Sequence, residues 1–454
     1  VFTDGAEDTF RNAWTKLMSG TIIEIYFTPA GAVDYVIAGT SSSLSSSTAV
    51  LSGTPTQNGL ESMFGAGSGG VIYKNGLRCS VSELQKYDVV SYDRTTNTFI
   101  VSDAKVTGAY EFAYPNTVAP SRIRILNTEF EVLDSAVSQL SKFKTGDVIT
   151  VFFTSDMRIA GAVSRDEHRV QVEGFYDGEG IQLLNGPKLD VRPTAGGIKA
   201  GSLVRVHSYK IGEPEISSVR DTQPGVPVDL NKGTAGDREI AVNARFYEKV
   251  GANGVLVPID RSDIAIAVVP ANKVTYLGYD YAGRANVVVL DDVTGDLYDY
   301  GRVRYSTKIE DPGSPGGFRD VTGYVEVTNS NGLSEKYTCP DAMSQTDFWG
   351  GIYKEYVPAS SGTYVRKYIV LKQYQNLTRQ NFASERRMLL DGAYVPISDE
   401  VHIYYEPSKS FYDQDDYSSL DEMLAAARAN GGSFEAYTDK APTEGGKVRV
   451  IVIR

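Results

Sequence analysis

The chain has 454 residues, 41% of them hydrophobic and 22% charged, with a formal net charge of −12 and two cysteines. These values exclude wholesale disorder and suit roughly two to four domains, each large enough to bury its own core. They also argue against nucleic-acid binding, because Lys and Arg are scattered singly instead of clustered against phosphates, and no apolar run of about 18 residues offers a spanning helix.

Tyrosine is abundant, at 29 residues, and Val, Ile and Thr fill most apolar runs, which is strand composition. Asn75-Gly76, Asp177-Gly178, Asn253-Gly254, Asn331-Gly332 and Asp391-Gly392 supply the positive φ of tight hairpin turns. The expected class is therefore mainly β with short helices, built as tandem small antiparallel modules of barrel or sandwich type.

In chain order, Val1 is not a Met, so an N-terminal portion that carries any signal or anchor is expected to be missing. Ala6 to Leu17 places Phe10, Trp14 and Leu17 at helical spacing. Gly20 then leads into a strand, a turn at 29–31 and a second strand. Asp134 to Phe143, Gly146 and the stretch to Val163 repeat that order, with Ile25 on Val151, Phe27 on Phe153 and Val33 on Ile159. The Ser/Thr run from Thr40 to Thr48 reads as a surface loop within a first partial module, 1–69.

A second module, 70–165, holds a weaker copy in Leu84 to Val101, where Asp88 takes the place of Asp147. A third, 166–222, has Gly201-Ser202 before its strand, and QPGVP at 223–227 reads as a linker. A fourth, 223–309, ends at the breaker EDPGSPGG, residues 310–317, which reads as a boundary. The last module, 310–454, has one helix, opened by a capping box of Ser419 and Glu422 and closed at Gly431-Gly432, then the terminal strand GGKVRVIVIR.

The candidates for chemistry are few. Gly65 to Gly70 spells G-x-G-x-x-G, but a hairpin follows it, whereas a dinucleotide loop must follow a strand and open a helix. His168, His207 and His402 fall in separate modules, so no triad or metal set is evident. Cys79 and Cys339 form no Cys-x-x-Cys pair; a single long-range disulfide between them is the alternative to the expected free thiols, since each sits in its own hairpin strand, where a buried thiol suffices. Two acidic turns are candidate calcium loops: Asp291, Asp292, Asp296 and Asp299, and Asp413, Asp415 and Asp416. Calcium prefers several oxygen ligands from one loop, although neither turn has EF-hand spacing. Trp349 with Tyr404, Tyr405, Tyr412 and Tyr417 is a candidate glycan platform, since sugar sites combine apolar faces with polar edges.

The repeated order of helix, Gly-Asp, strand, polar turn and strand, with VTGAYEFAYPNTVAPSRIRI and a closing helix before GGKVRVIVIR, resembles the β-rich regions of bacterial cell-surface proteins that carry S-layer homology domains. The resemblance implies an extracellular, non-enzymatic structural, spacer or adhesive region at the cell surface, with no established catalytic residues; no cofactor is expected other than calcium at the acidic turns. Its expected partners are a wall or surface glycan or protein. A carbohydrate-binding module and, behind it, a wall-polymer hydrolase are the alternatives. The wall-binding modules themselves do not occur in this sequence.

Overall fold

A computed structural model describes residues 2–3, 6–7, 23–27, 33–38 and 48–454, apart from 194–197, 220–221, 253, 311–315, 317, 329–331, 358–361, 385, 413–416, 418 and 430–431. The described chain is mainly β, in several small sheets and one closed five-stranded barrel. Its α-helices are short: α1 (Gln57–Phe64), α2 (Asp134–Leu140) and α3 (Leu420–Ala429). Among the described residues, no helix is long and apolar enough to cross a membrane.

The chain divides into two compact units. Unit 1 comprises Val1–Arg261 with Val268–Asp291, and unit 2 comprises Ser262–Ala267 with Asp292–Arg454. In unit 1, two sheets share one topology. Lys105–Tyr114 pairs on one side with a meander (Arg122–Ile125, then Thr128–Glu131) and on the other with the hairpin Val148–Phe153/Ile159–Ser164. Val172–Tyr176 likewise pairs with Ile181–Leu183 and Lys188–Leu189 on one side, and with Leu203–His207/Glu215–Ser218 on the other. Both sheets feed one hydrophobic core, which includes Tyr110, Ile123, Ile149, Val172, Ile181 and Val204. Residues 70–165 and 166–222 therefore bury their apolar faces against a common interior.

A second topology occurs four times. A strand forms a hairpin with a short successor, and a later hairpin returns so that its last strand runs parallel to the first. The strand pairs are Phe2–Thr3 with Val33–Ala38, Val71–Lys74 with Thr98–Ser102, Arg238–Lys249 with Ala285–Asp291, and Ala393–Tyr405 with Val448–Ile453. Parallel strands need a crossover. In the last three copies it contains the 3₁₀ turn Val81–Glu83, the 3₁₀ turn Ala271–Lys273 or helix α3.

The last two copies agree in their irregularities. Ile240↔Ala285 is followed by Arg245↔Val287, and Ile397↔Val448 by His402↔Val450. The returning hairpins also break register at matching places, between Gly278 and Tyr279 and between Tyr437 and Thr438. A bulge inserts unpaired residues and bends a strand, so the same bulge in two copies marks a shared design.

The repeat read from Gly20 and Gly146 is present in the strand pairing. Ile23↔Ala38, Glu24↔Ile37, Ile25↔Val36, Tyr26↔Tyr35 and Phe27↔Val33 fall on Ile149↔Ser164, Thr150↔Val163, Val151↔Ala162, Phe152↔Gly161 and Phe153↔Ile159. Both hairpins shift register before their final pair. The helix expected over Ala6–Leu17 lies mostly outside the described residues, and Ala6–Glu7 is a short strand. The helix expected from Asp134 is α2.

Strand starts repeat atom for atom in three places. Asp147 Oδ2 accepts the Lys144 N–H at 2.9 Å, Ser202 Oγ accepts that of Lys199 at 3.2 Å, and Asp88 Oδ2 accepts that of Gln85 at 2.9 Å. Each returns its own N–H to the carbonyl three residues back. The residue before it has positive φ: Gly146 at 96°, Gly201 at 85° and Tyr87 at 71°. These three donate their N–H groups to the carbonyls of Tyr110, Tyr176 and Leu51, whose own N–H groups return to Asp147, Ser202 and Asp88. Gly adopts this conformation freely, whereas a tyrosine is strained in it by about 1 kcal/mol.

Residues 310–317 do not separate modules. Asp299–Glu310 and Phe318–Thr328 are antiparallel neighbours in the barrel, with Glu310 opposite Phe318. The sequence suggested a boundary there because Pro and Gly close hairpins as readily as they divide domains. The barrel continues through Ser334–Thr338, Gly362–Val370 and Asp347–Val357. Asn75-Gly76 and Asp391-Gly392 have both residues at positive φ, as a type I′ hairpin requires, while Asn253 and Asn331 lie outside the described residues. Gly65 caps the C-terminus of α1, so the G-x-G-x-x-G run follows a helix and precedes the hairpin Val71–Lys74/Leu77–Cys79.

Candidate functional site

The sheets of unit 1 converge on Asp103, in the short link between Thr98–Ser102 and Lys105–Tyr114. Its carboxylate accepts from the side-chain amides of Asn75 and Asn185, each at 2.6 Å, and of Asn243 at 3.4 Å. These asparagines come from three different sheets. Asn75 is held by its hairpin turn, Asn185 follows Ile181–Leu183, and Asn243 sits in the bulge of Arg238–Lys249. Burial would raise the Asp103 carboxyl, but the Lys74 and Lys105 charges and the Asn75 and Asn185 amides outweigh it and hold it well below the usual range.

Beside it, Lys74 Nζ donates to Asp88 Oδ2 at 2.7 Å, with both side chains 1% exposed. Lys105 Nζ lies 3.8 Å from the other Asp88 oxygen. Asp88 thus keeps the local role of Asp147 and adds a buried ion pair.

A cavity of 540 Å³ opens next to this network, lined on one side by Asp88, Asp103, Lys105 and Asn185 and on another by His168, Glu173 and Tyr276–Tyr281. Its carboxylates are internally matched. Glu173 accepts from Arg205 Nε at 2.8 Å and from the Tyr276 hydroxyl, and Asp280 accepts from Arg284 Nε at 2.9 Å and Gln85 Nε2 at 2.6 Å. Two lining residues also carry a polar atom that is buried away from the cavity and has no partner in the protein: His168 Nε2 and Asn185 Oδ1. Burial, with the charges of Lys105 and Lys86, brings the His168 pKa down to about 4, so the imidazole is neutral near pH 7. Its ring stacks on Tyr87 at 4.6 Å and meets Tyr281 edge-on at 5.5 Å.

The residues expected from the sequence fall elsewhere. Trp349 and Tyr404 are brought together at 5.5 Å and join Phe411 and Tyr437 in one half-buried cluster. Tyr405, Tyr412 and Tyr417 form a separate chain of contacts, packed against the core of Met423, Leu424 and Phe434. Adjacent strand residues point to opposite faces, so Tyr404 and Tyr405 do not share one platform.

The first acidic turn is held by cations and backbone donors. Asp291 accepts the Gly251 N–H at 2.7 Å, Asp292 accepts from Lys367 at 2.7 Å, and Asp299 lies 2.6 Å from Lys354 Nζ. Asp296 contacts Lys447 at 2.7 Å and Arg449 at 2.6 Å. Asp413, Asp415 and Asp416 lie outside the described residues. Among the described residues, no group of three His, Cys, Asp or Glu side chains is placed to hold a metal, and Cys79 and Cys339 are free thiols.

The sequence reading missed the Asp103 hub, Arg449 and the His168 cavity. Arg449 had a signal, since a lone arginine inside the apolar run VRVIVI must find acids indoors. Asn75 and Asn185 had none, because an asparagine before glycine reads first as a turn. No protein-family model, curated protein or solved structure matches the chain.

Proposed function

We infer that this chain is a non-enzymatic structural or adhesive array of β modules, displayed outside the cell as part of a bacterial surface protein. The observation that supports this most is the recurrence of one strand topology four times, with the same bulges in the last two copies. Repeated modules set length and stiffness by stacking, a mechanical task that needs no reaction centre. The same reading accounts for the investment in buried ion networks where sheets meet. Surface glycans or proteins are its proposed partners.

Externally added protease on intact cells of the producing organism tests the display, and the chain is expected to be cut without lysis. Incubation of the purified chain with wall polymers tests the lack of chemistry, with no soluble fragments expected. Polymer cleavage abolished by one carboxylate substitution would overturn the reading.

A further inference from the structure

We propose that Arg165 and Arg169, gathered on the Tyr209 ring in unit 1, form a binding site for the oxyanion groups of an acidic polysaccharide. The two guanidiniums lie over that ring at 4.8 and 5.7 Å, and Arg169 Nη2 donates to the Tyr209 hydroxyl at 2.6 Å. Arg169 and Tyr209 are exposed and Arg165 is half-buried, so a ligand can reach them. Among the described residues, neither guanidinium pairs with a carboxylate. Asp166 and Glu167 lie between the two arginines in sequence, yet neither forms an ion pair with them, and Glu167 accepts from the Tyr87 hydroxyl at 3.0 Å instead. Burial lowers the pKa of the neighbouring His207, and the charges of Arg205 and Arg169 add to this and outweigh those of Glu215 and Glu173, so the local field is positive. In a chain of net charge −12, two adjacent cations without acids are the exception. An oxyanion removes their mutual repulsion and matches the forked N–H donors of a guanidinium.

The fold holds these groups in place before any ligand arrives. Both arginines sit on the link between Ile159–Ser164 and Val172–Tyr176, and that link is pinned at several points. The Ser164 carbonyl accepts the N–H groups of Glu167 and His168. The His168 carbonyl accepts from Thr150 Oγ1 at 2.5 Å, and the Val170 N–H donates to Thr107 Oγ1 at 3.0 Å. Tyr209 comes from the turn of the hairpin Leu203–His207/Glu215–Ser218, with its ring stacked on His207 at 5.9 Å. A ring that engages the faces of guanidiniums leaves their N–H edges for an acceptor, and fixing them beforehand lowers the entropy lost on binding. Nucleic acid is also polyanionic, but it needs a stripe of cations to follow its phosphates, whereas two arginines suit one oxyanion at a time along a sugar chain. The choice of a polysaccharide as carrier rests on the surface role proposed above; binding by the purified chain and protease access on cells fail independently.

The test is titration calorimetry of the full chain with polygalacturonate and dextran sulfate, with dextran as the neutral counterpart and inorganic phosphate and a single-stranded oligonucleotide as other sources of oxyanions. At least one acidic polysaccharide is expected to bind, more weakly as salt is raised, and dextran is expected not to bind. Arg165→Gln and Arg169→Gln are each expected to weaken that polysaccharide about tenfold with the unfolding midpoint unchanged. Arg122→Gln removes an equal charge from a residue that lies 3.6 Å from Glu129, and is expected to leave binding as it is. The proposal is overturned if neither acidic polysaccharide binds, or if dextran binds as well as they do. It is equally overturned if phosphate or the oligonucleotide binds more tightly than either, or if Arg165→Gln and Arg169→Gln weaken binding no more than Arg122→Gln does.

Discussion

Arg449 and Asp439 meet in the terminal hairpin of unit 2 with Nη2 and Oδ2 2.8 Å apart and side chains only 2% and 0% exposed. The guanidinium also donates to Asp296 at 2.6 Å, the Thr294 carbonyl at 2.7 Å and Ser398 Oγ at 2.9 Å, and lies over the Tyr300 ring at 4.6 Å. Every donor direction of a planar, permanently charged group is thereby used. Arg449→Met is expected to lower the stability of unit 2 by about 3–5 kcal/mol, because Asp439 is left as a buried, unpaired charge. Urea unfolding of Arg449→Met, Asp439→Leu and the double variant checks this, with the double variant less destabilised than the sum of the singles.

The same cluster sets an acid limit. Burial would raise the Asp296 carboxyl, but Arg449 and Lys447 outweigh it and lower its pKa in the fold. A depressed carboxyl contributes stability that is fully present above its unfolded value, near 3.9, and is lost as pH falls through the folded value. Unit 2 is therefore expected to lose stability below about pH 4, and Asp296→Asn to flatten that slope while lowering stability at pH 7. Chemical unfolding from pH 7 to pH 3 reads both.

Strand starts that look alike should respond differently. The Asp147 side chain makes only a local bond at its strand start, so Asp147→Ser is expected to stay within about 0.5 kcal/mol and Asp147→Ala to cost about 1 kcal/mol. Asp88 adds the buried Lys74 pair, so Asp88→Ser is expected to cost about 3–5 kcal/mol. Thermal or urea unfolding of the three variants separates the two cases, and an equal loss from Asp88→Ser and Asp147→Ser would refute the distinction.

Gly295 tests how tightly the Arg449 cluster is built. It has φ 75°, and a Cβ there would stand 2.2 Å from Asp439 Oδ2 and 2.7 Å from Arg449 Nη2. Gly295→Ala is expected to cost more than about 2 kcal/mol, since backbone strain and overpacking add. A midpoint indistinguishable from that of the parent chain would show that the pair has room to shift.

Trp349 distinguishes packing from recognition. Its contacts with Tyr404, Phe411 and Tyr437 lie within 6.1 Å. Trp349→Ala is expected to destabilise unit 2 by about 2–3 kcal/mol, as read by urea unfolding. Unchanged stability with loss of glycan binding would instead restore the platform suggested by its sequence.

The sequence by itself determined what a few neighbouring residues can decide. Asn75-Gly76 and Asp391-Gly392 closed their turns because positive φ is a local property, and Ser419 opened α3 because its Oγ reaches the Glu422 N–H at 3.2 Å. The interchange of Asp147, Asp88 and Ser202 was legible for the same reason, as any short oxygen side chain can accept the N–H three residues back. Tertiary structure alone decided which strands run parallel and where the buried charges pair. Asn75, Asn185 and Asn243 lie 28, 82 and 140 residues from Asp103, and no spacing rule connects such positions. They meet because each sheet must bury an apolar face, and the polar groups carried inside with those faces must find one another or remain unsatisfied.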